Sequence, residues 1–84
     1  MSSIDIEGAI EEFVRREFAV SPTDEGFGRH VHLFDEGYVD SVGVIELLEF
    51  IKQAFGVEIP DEDLFSPDFS TVAGIGAIIA RLTA

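Results

Sequence analysis

The segment SVGVIELLEFIKQAF at 41–55 leaves this chain little freedom in what it folds into. Val44, Leu47, Leu48, Ile51, Ala54 and Phe55 recur at three- and four-residue intervals, with Glu46, Glu49, Lys52 and Gln53 between them. That is the period of a helix with one apolar face. Gly56 stands where a left-handed residue ends a helix, and Asp40 or Ser41 stands where a side-chain oxygen caps its start. A helix striped in this way must bury the stripe against other elements.

Two further segments supply those elements. Over residues 3–18, Ile6, Ile10, Phe13, Val14 and Phe18 keep helical spacing. Ser2 or Ser3 is the expected cap, Asp5 and Glu7 suit the positive N-terminal end, and Arg15 and Arg16 suit the other. A last helix begins at Ser70 or Thr71 and turns Val72, Ile75, Ile79 and Leu82 inward. Gly74 and Gly76 each weaken it by up to about 1 kcal/mol relative to Ala, and give room for another helix to come close. Between residues 56 and 67, VEIPDEDLF predicts an extended entry, Pro60 at a helix start and one short acidic turn whose carboxylates serve the helix N-terminus, broken at Ser66-Pro67.

Residues 19–40 form a long first loop, punctuated by Pro22, Gly26, Gly28 and Gly37. A structureless loop of that length is unusual in a small domain. It carries Phe27, Val31, Leu33, Phe34, Tyr38 and Val39, so it is expected to pack over the core, with room for one short helical turn. No segment reads as a strand. The expected fold is all-α: one domain over 1–84, a small four-helix bundle of three main helices and one short helix.

Composition then removes whole classes of function. The chain holds 5 basic and 17 acidic residues, a net charge of −12. Phosphate backbones and anionic membrane surfaces are met by Lys and Arg, so neither nucleic acid nor membrane insertion is expected, and partners with basic faces are. Cysteine is absent, which rules out disulfides, thiolate-bound zinc and any thiol of the chain's own. The start lacks a signal-peptide pattern, and no run reaches the roughly 20 apolar residues of a bilayer span, so a cytoplasmic monomer is expected.

Most candidate chemistry is weak. His30 and His32, near Asp35 and Glu36, have no spacing that fixes a metal geometry. Gly74-Ile75-Gly76 lacks the third glycine and the preceding strand of a dinucleotide fingerprint. A Ser41–His catalytic pair would need a cleft and an orienting group, which a bundle of this size rarely offers, so no enzyme activity is expected. Asp40-Ser41 alone is ordinary capping chemistry.

Its frame changes the reading. Asp40, Ser41 and Val42 lead into a helix with Glu46 and Leu47; Phe55-Gly56 ends it; Ile59-Pro60-Asp61-Glu62 enters a minor helix; Ser70-Thr71-Val72 starts the last one. Across residues 33–83 this order resembles acyl carrier proteins. The resemblance implies that Ser41 receives 4′-phosphopantetheine from coenzyme A, with Asp40 as its motif neighbour, through a separate phosphopantetheinyl transferase. It implies a discrete carrier with no catalysis of its own, which holds acyl groups as thioesters and presents them to loading ligases and to acyl-transferring or modifying enzymes. Partners would dock on Asp35, Glu36, Val42, Ile45, Glu46 and Glu49, and Ile45 is equally placed for the core. Cargo would lie partly among Phe34, Leu47, Ile51 and Ile75.

The chain departs from fatty-acid carriers at Gly43, where an acidic residue is usual, and at Lys52 and Gln53. The run Asp40-Ser41-Val42-Gly43 is more similar to D-alanyl and other aminoacyl carriers served by an adenylating enzyme. A third reading, an unmodified acidic adaptor for a basic protein, would leave Ser41 as a helix cap.

Overall fold

The computed structural model describes residues 5–84. Four α-helices follow one another: α1 (Ile6–Glu17), α2 (Ser41–Phe55), α3 (Asp61–Leu64) and α4 (Val72–Leu82). A 3-10 helix, Pro67–Ser70, joins the last two, and the described residues contain no strand.

The helix ends follow from side chains that satisfy free amides. Asp5 caps α1 by accepting from the Gly8 amide at 2.9 Å; Ser2 and Ser3, the expected caps, lie outside the described residues. Gly56, at φ 68°, ends α2 in the left-handed conformation that favours glycine. Thr71 caps α4 by accepting from the Gly74 amide at 2.9 Å. Ser70 instead donates to the Pro67 carbonyl at 2.6 Å and closes the 3-10 turn.

The core is built from all sides. Ile10, Phe13 and Val14 come from α1, Leu47 and Ile51 from α2, and Val72, Ile75, Ile78 and Ile79 from α4. The long loop closes the remaining side with buried Phe27, Leu33 and Val39. Its backbone is stitched to the last helices: Leu33 donates to the Ser70 carbonyl at 2.8 Å, and Ala73 donates to that of Arg29 at 2.9 Å. The short helical turn anticipated here is a pair of overlapping turns, in which Glu36 donates to the His32 carbonyl at 3.0 Å and Gly37 to that of Phe34 at 3.1 Å.

Two features differ from the periodic reading. Ala54 is exposed, because a methyl at the edge of the α2 stripe gains too little from burial to pull the helix round. The 3-10 helix is new; four residues headed by proline are too short to show any period.

The α4 glycines do admit close neighbours. A Cβ on Gly74 would run into the backbone carbonyl of Asp68, and one on Gly76 would lie 2.7 Å from Glu7 Cγ of α1.

Candidate functional site

The start of α2 is fixed by Asp40. Its backbone is extended (φ −101°, ψ −174°), its Oδ1 accepts from the Gly43 amide at 2.7 Å, and its carbonyl accepts from Val44 at 3.0 Å. Of the two residues that sequence offered as the cap, Asp40 therefore holds the position. Ser41 is the first helical residue, exposed, and its hydroxyl has no hydrogen-bond partner among the described residues. Nor is any imidazole bonded to it, so it lacks the adjacent base of an activated catalytic serine.

The approach to Ser41 is held from below. Val39 is buried, and Tyr38 packs edge-on against Phe27 at 5.1 Å while its hydroxyl donates to Asp24 Oδ2 at 3.0 Å. Gly37 turns the chain at φ 82°. Gly43, a departure from the pattern of fatty-acid carriers, has a steric reason here. A Cβ would lie 2.7 Å from Phe18 Cε1 and 3.0 Å from Val39 Cγ1, so glycine lets the Phe18 ring close over the first turn of α2.

Around Ser41 the surface is both acidic and apolar. Asp35, Glu36, Glu46 and Glu49 are exposed, as are Val42 (64%) and Ile45 (68%). Ile45, equally placed for core or surface by its sequence, is on the surface. Soluble domains expose single apolar residues routinely, but two large ones within a turn of an exposed serine form a local patch.

The positive end of α2 offers the amides of Ser41 and Val42, which have no acceptor among the described residues. An anionic phosphodiester on the Ser41 hydroxyl would be favoured there by those amides and by the helix dipole.

His32 has a structural task. Its Nδ1 accepts from the Asp35 amide at 3.0 Å, and its Nε2 lies 3.6 Å from Asp35 Oδ2. His30 is exposed.

Of the four residues expected to line the cargo, Leu47, Ile51 and Ile75 are fully buried in the core, and Phe34 borders a cavity. That cavity, about 250 Å³, is lined by Phe34, Val44, Leu64, Phe65 and Phe69, with Phe65 87% exposed. Sequence reasoning missed Leu64, Phe65 and Phe69. The available signal was three large apolar residues within six positions, more than a one-turn helix can bury on one face.

Comparison with known proteins bears on this geometry. Residues 9–79 match the family described as "Phosphopantetheine attachment site". D-alanyl carrier protein 1 of Lactiplantibacillus plantarum is 36% identical over 52 residues, covering 62% of this chain and 65% of that protein. D-alanyl carrier protein 2 of the same organism is 37% identical over 51 residues, covering 61% and 64%. The chain thus spans just under two thirds of the length of these two relatives. The "Probable acyl carrier protein PigG" of a Serratia strain is 30% identical over 60 residues, covering 71% of this chain and 69% of that protein.

Proposed function

Because this chain belongs to the phosphopantetheine-attachment family of carrier proteins, we propose that it holds acyl or aminoacyl groups as thioesters on a 4′-phosphopantetheine arm borne by Ser41. The family's cofactor is 4′-phosphopantetheine, and its carrier proteins are not themselves catalysts. The observation that carries the reading to a residue is the exposed, unbonded hydroxyl of Ser41, left free because Asp40 does the capping. A hydroxyl presented in this way needs no base of its own when a separate transferase supplies the chemistry. A chain with no cysteine obtains its thiol with the arm.

On this reading the chain works where coenzyme A is available, in the cytoplasm, and its partners are a phosphopantetheinyl transferase, a loading ligase and the enzymes that take or modify the cargo. They approach Ser41 over Val42 and Ile45, guided by Asp35, Glu36, Glu46 and Glu49. Exposed ion pairs are individually weak, so these carboxylates govern encounter rate and register more than affinity.

Two observations favour a short, aminoacyl-type cargo over a long acyl chain. Leu47, Ile51, Ile75 and Ile79 fill the space between the helices with no exposure, and the relatives include two named D-alanyl carriers.

The test is the intact mass of the chain after incubation with coenzyme A and a broad-specificity phosphopantetheinyl transferase, beside a Ser41→Ala control. Gain of one phosphopantetheine by the wild type alone supports the carrier. No gain by either leaves the acidic-adaptor reading.

A further inference from the structure

The chain arrives at Ser41 on a segment with few ties of its own. Across residues 38–40 one backbone amide has an acceptor among the described residues: Val39 donates to the Leu33 carbonyl at 3.0 Å. The Val39 side chain is buried, which holds the segment down without fixing its tilt. Asp40 adds no anchor toward the loop, since its carboxylate and carbonyl are spent on the Gly43 and Val44 amides of α2. The direction in which α2 begins, and with it the Ser41 hydroxyl, therefore depends on Tyr38.

Tyr38 reaches back across the long loop. Its hydroxyl donates to Asp24 Oδ2 at 3.0 Å, while Asp24 Oδ1 accepts from the Gly26 amide at 2.8 Å. The carboxylate thus closes a local turn with one oxygen and holds the approach to Ser41 with the other. A Cβ on Gly26 would lie 3.2 Å from both the Tyr38 hydroxyl and Asp24 Oδ1, so glycine leaves the room in which the two oxygens meet. Partial burial and the Asp24 carboxylate push the Tyr38 pKa up, so the hydroxyl stays a proton donor well past neutral pH.

The pair is braced against α1. The Tyr38 ring meets Phe27 edge-on, centroids 5.1 Å apart, and Phe27 is itself buried. The Arg15 guanidinium lies over the Phe27 ring, 4.6 Å from its centroid, and Glu11 holds Arg15 at 3.3 Å. A hydrogen bond to a charged acceptor is stronger than a neutral one, and a ring face attracts a cation. The contacts run from Glu11 through Arg15, Phe27 and Tyr38 to Asp24, so α1 sets where the first turn of α2 starts. None of these side chains belongs to the helix cap or to the exposed docking face.

We propose that Tyr38 and Asp24 are the positioning pair for Ser41, fixing the turn from which its hydroxyl is presented for transfer. The proposal rests on Ser41 as the attachment point. Transfer forms a bond from the Ser41 oxygen to a phosphorus of coenzyme A and breaks the pyrophosphate bond. Adenosine bisphosphate leaves, and the hydroxyl proton passes to a base of the transferase. A nucleophile held at the wrong angle reacts slowly even when it is bound. Loss of the Tyr38–Asp24 bond should therefore lower kcat and leave KM, set at the unaltered docking face, nearly unchanged.

The test joins transferase kinetics to amide hydrogen exchange on the full chain. Tyr38→Phe keeps the ring on Phe27 and removes the hydroxyl. It should lower kcat for Ser41 modification about fivefold at constant KM, the worth of one hydrogen bond. It should also speed exchange of the Gly43 and Val44 amides, which bond to Asp40, by a similar factor. Asp24→Ala should match it, and Asp24→Asn, whose side-chain amide still bonds both partners, should recover most of the rate. Ile79→Val, which lowers global stability from within α4, should leave kcat alone. A modified wild type whose kcat and Gly43 exchange are unmoved by Tyr38→Phe and Asp24→Ala would overturn this proposal alone. So would an equal loss of kcat in Ile79→Val, which would mark a general loosening of the fold. A wild type that is never modified would overturn the proposal together with the carrier reading.

Discussion

The Asp40 carboxylate meets the Gly43 amide at 2.7 Å across the first turn of α2, so the residue beside the serine, and not the serine, caps the helix. Asp40→Ala should therefore destabilise the chain by about 1 kcal/mol, lowering Tm by roughly 4–8 °C for a domain of this size. Ser41→Ala should stay within about 0.5 kcal/mol of wild type. Paired thermal and urea melts check this, and the reverse ranking would return the cap to Ser41.

Of the four helical glycines, Gly43, Gly74 and Gly76 should respond to alanine in a steric order, although alanine is the better helix former at each. Gly74→Ala drives a methyl into the Asp68 backbone, which cannot move aside, and should cost about 3 kcal/mol. Gly43→Ala meets the far edge of the Phe18 ring and Val39, and should cost about 1–2 kcal/mol. Phe18→Leu should relieve part of it. Gly76→Ala clashes with the flexible Glu7 side chain alone, the Glu7 backbone lying at ordinary contact distance, and should be the mildest. Urea denaturation of the three variants gives the order directly.

Acid stability should depend on Glu11. The Arg29 side chain, whose Nε lies 2.8 Å from Glu11 Oε1, holds the carboxyl below its ordinary value; partial burial opposes this, and Arg15 at 3.3 Å reinforces it. A carboxyl whose folded value is depressed contributes stability above the unfolded value, and that contribution is lost as pH falls through the folded one. Glu11→Gln should thus lower Tm at neutral pH, and its difference from wild type should shrink below pH about 4. Melts across pH 2–7 test the sign, and a gap that widens in acid would contradict it.

Val42 and Ile45 offer a separation of folding from recognition. Both are more than half exposed, so Val42→Ala and Ile45→Ala should each change stability by less than about 0.5 kcal/mol. If they anchor the transferase, kcat/KM for modification of Ser41 should fall about tenfold, or about 1.4 kcal/mol. Initial-rate assays beside urea melts distinguish this from a loss of fold.

Much of this architecture is legible in the chain because its helices carry strong periods and strong ends. The α2 stripe runs unbroken into Gly56, and the loop residues Phe27, Leu33 and Val39 are apolar enough that burial was the natural expectation. What was illegible is what one dimension cannot arbitrate. Asp40 and Ser41 are both good caps, and only the turn geometry chooses between them. Ile45 lies one residue off the stripe, where an apolar side chain suits core or surface equally. Leu47, Ile51 and Ile75 share an interior face, but whether that face encloses a cavity depends on how α4 closes on it. Leu64, Phe65 and Phe69 signal an excess of apolar residues around a one-turn helix, but the pattern does not say that Phe65 is the exposed one.

The central claim is that the arm is borne by Ser41, and the composition makes its location measurable. Tryptic cleavage after Arg29 and Lys52 releases residues 30–52, in which Ser41 is the sole serine and threonine is absent. Tandem mass spectrometry of this peptide, after reaction with coenzyme A and transferase, should show one phosphopantetheine on Ser41 that is lost on fragmentation. A chain that stays unmodified beside a competent control carrier, or an adduct on any other peptide, would contradict the account.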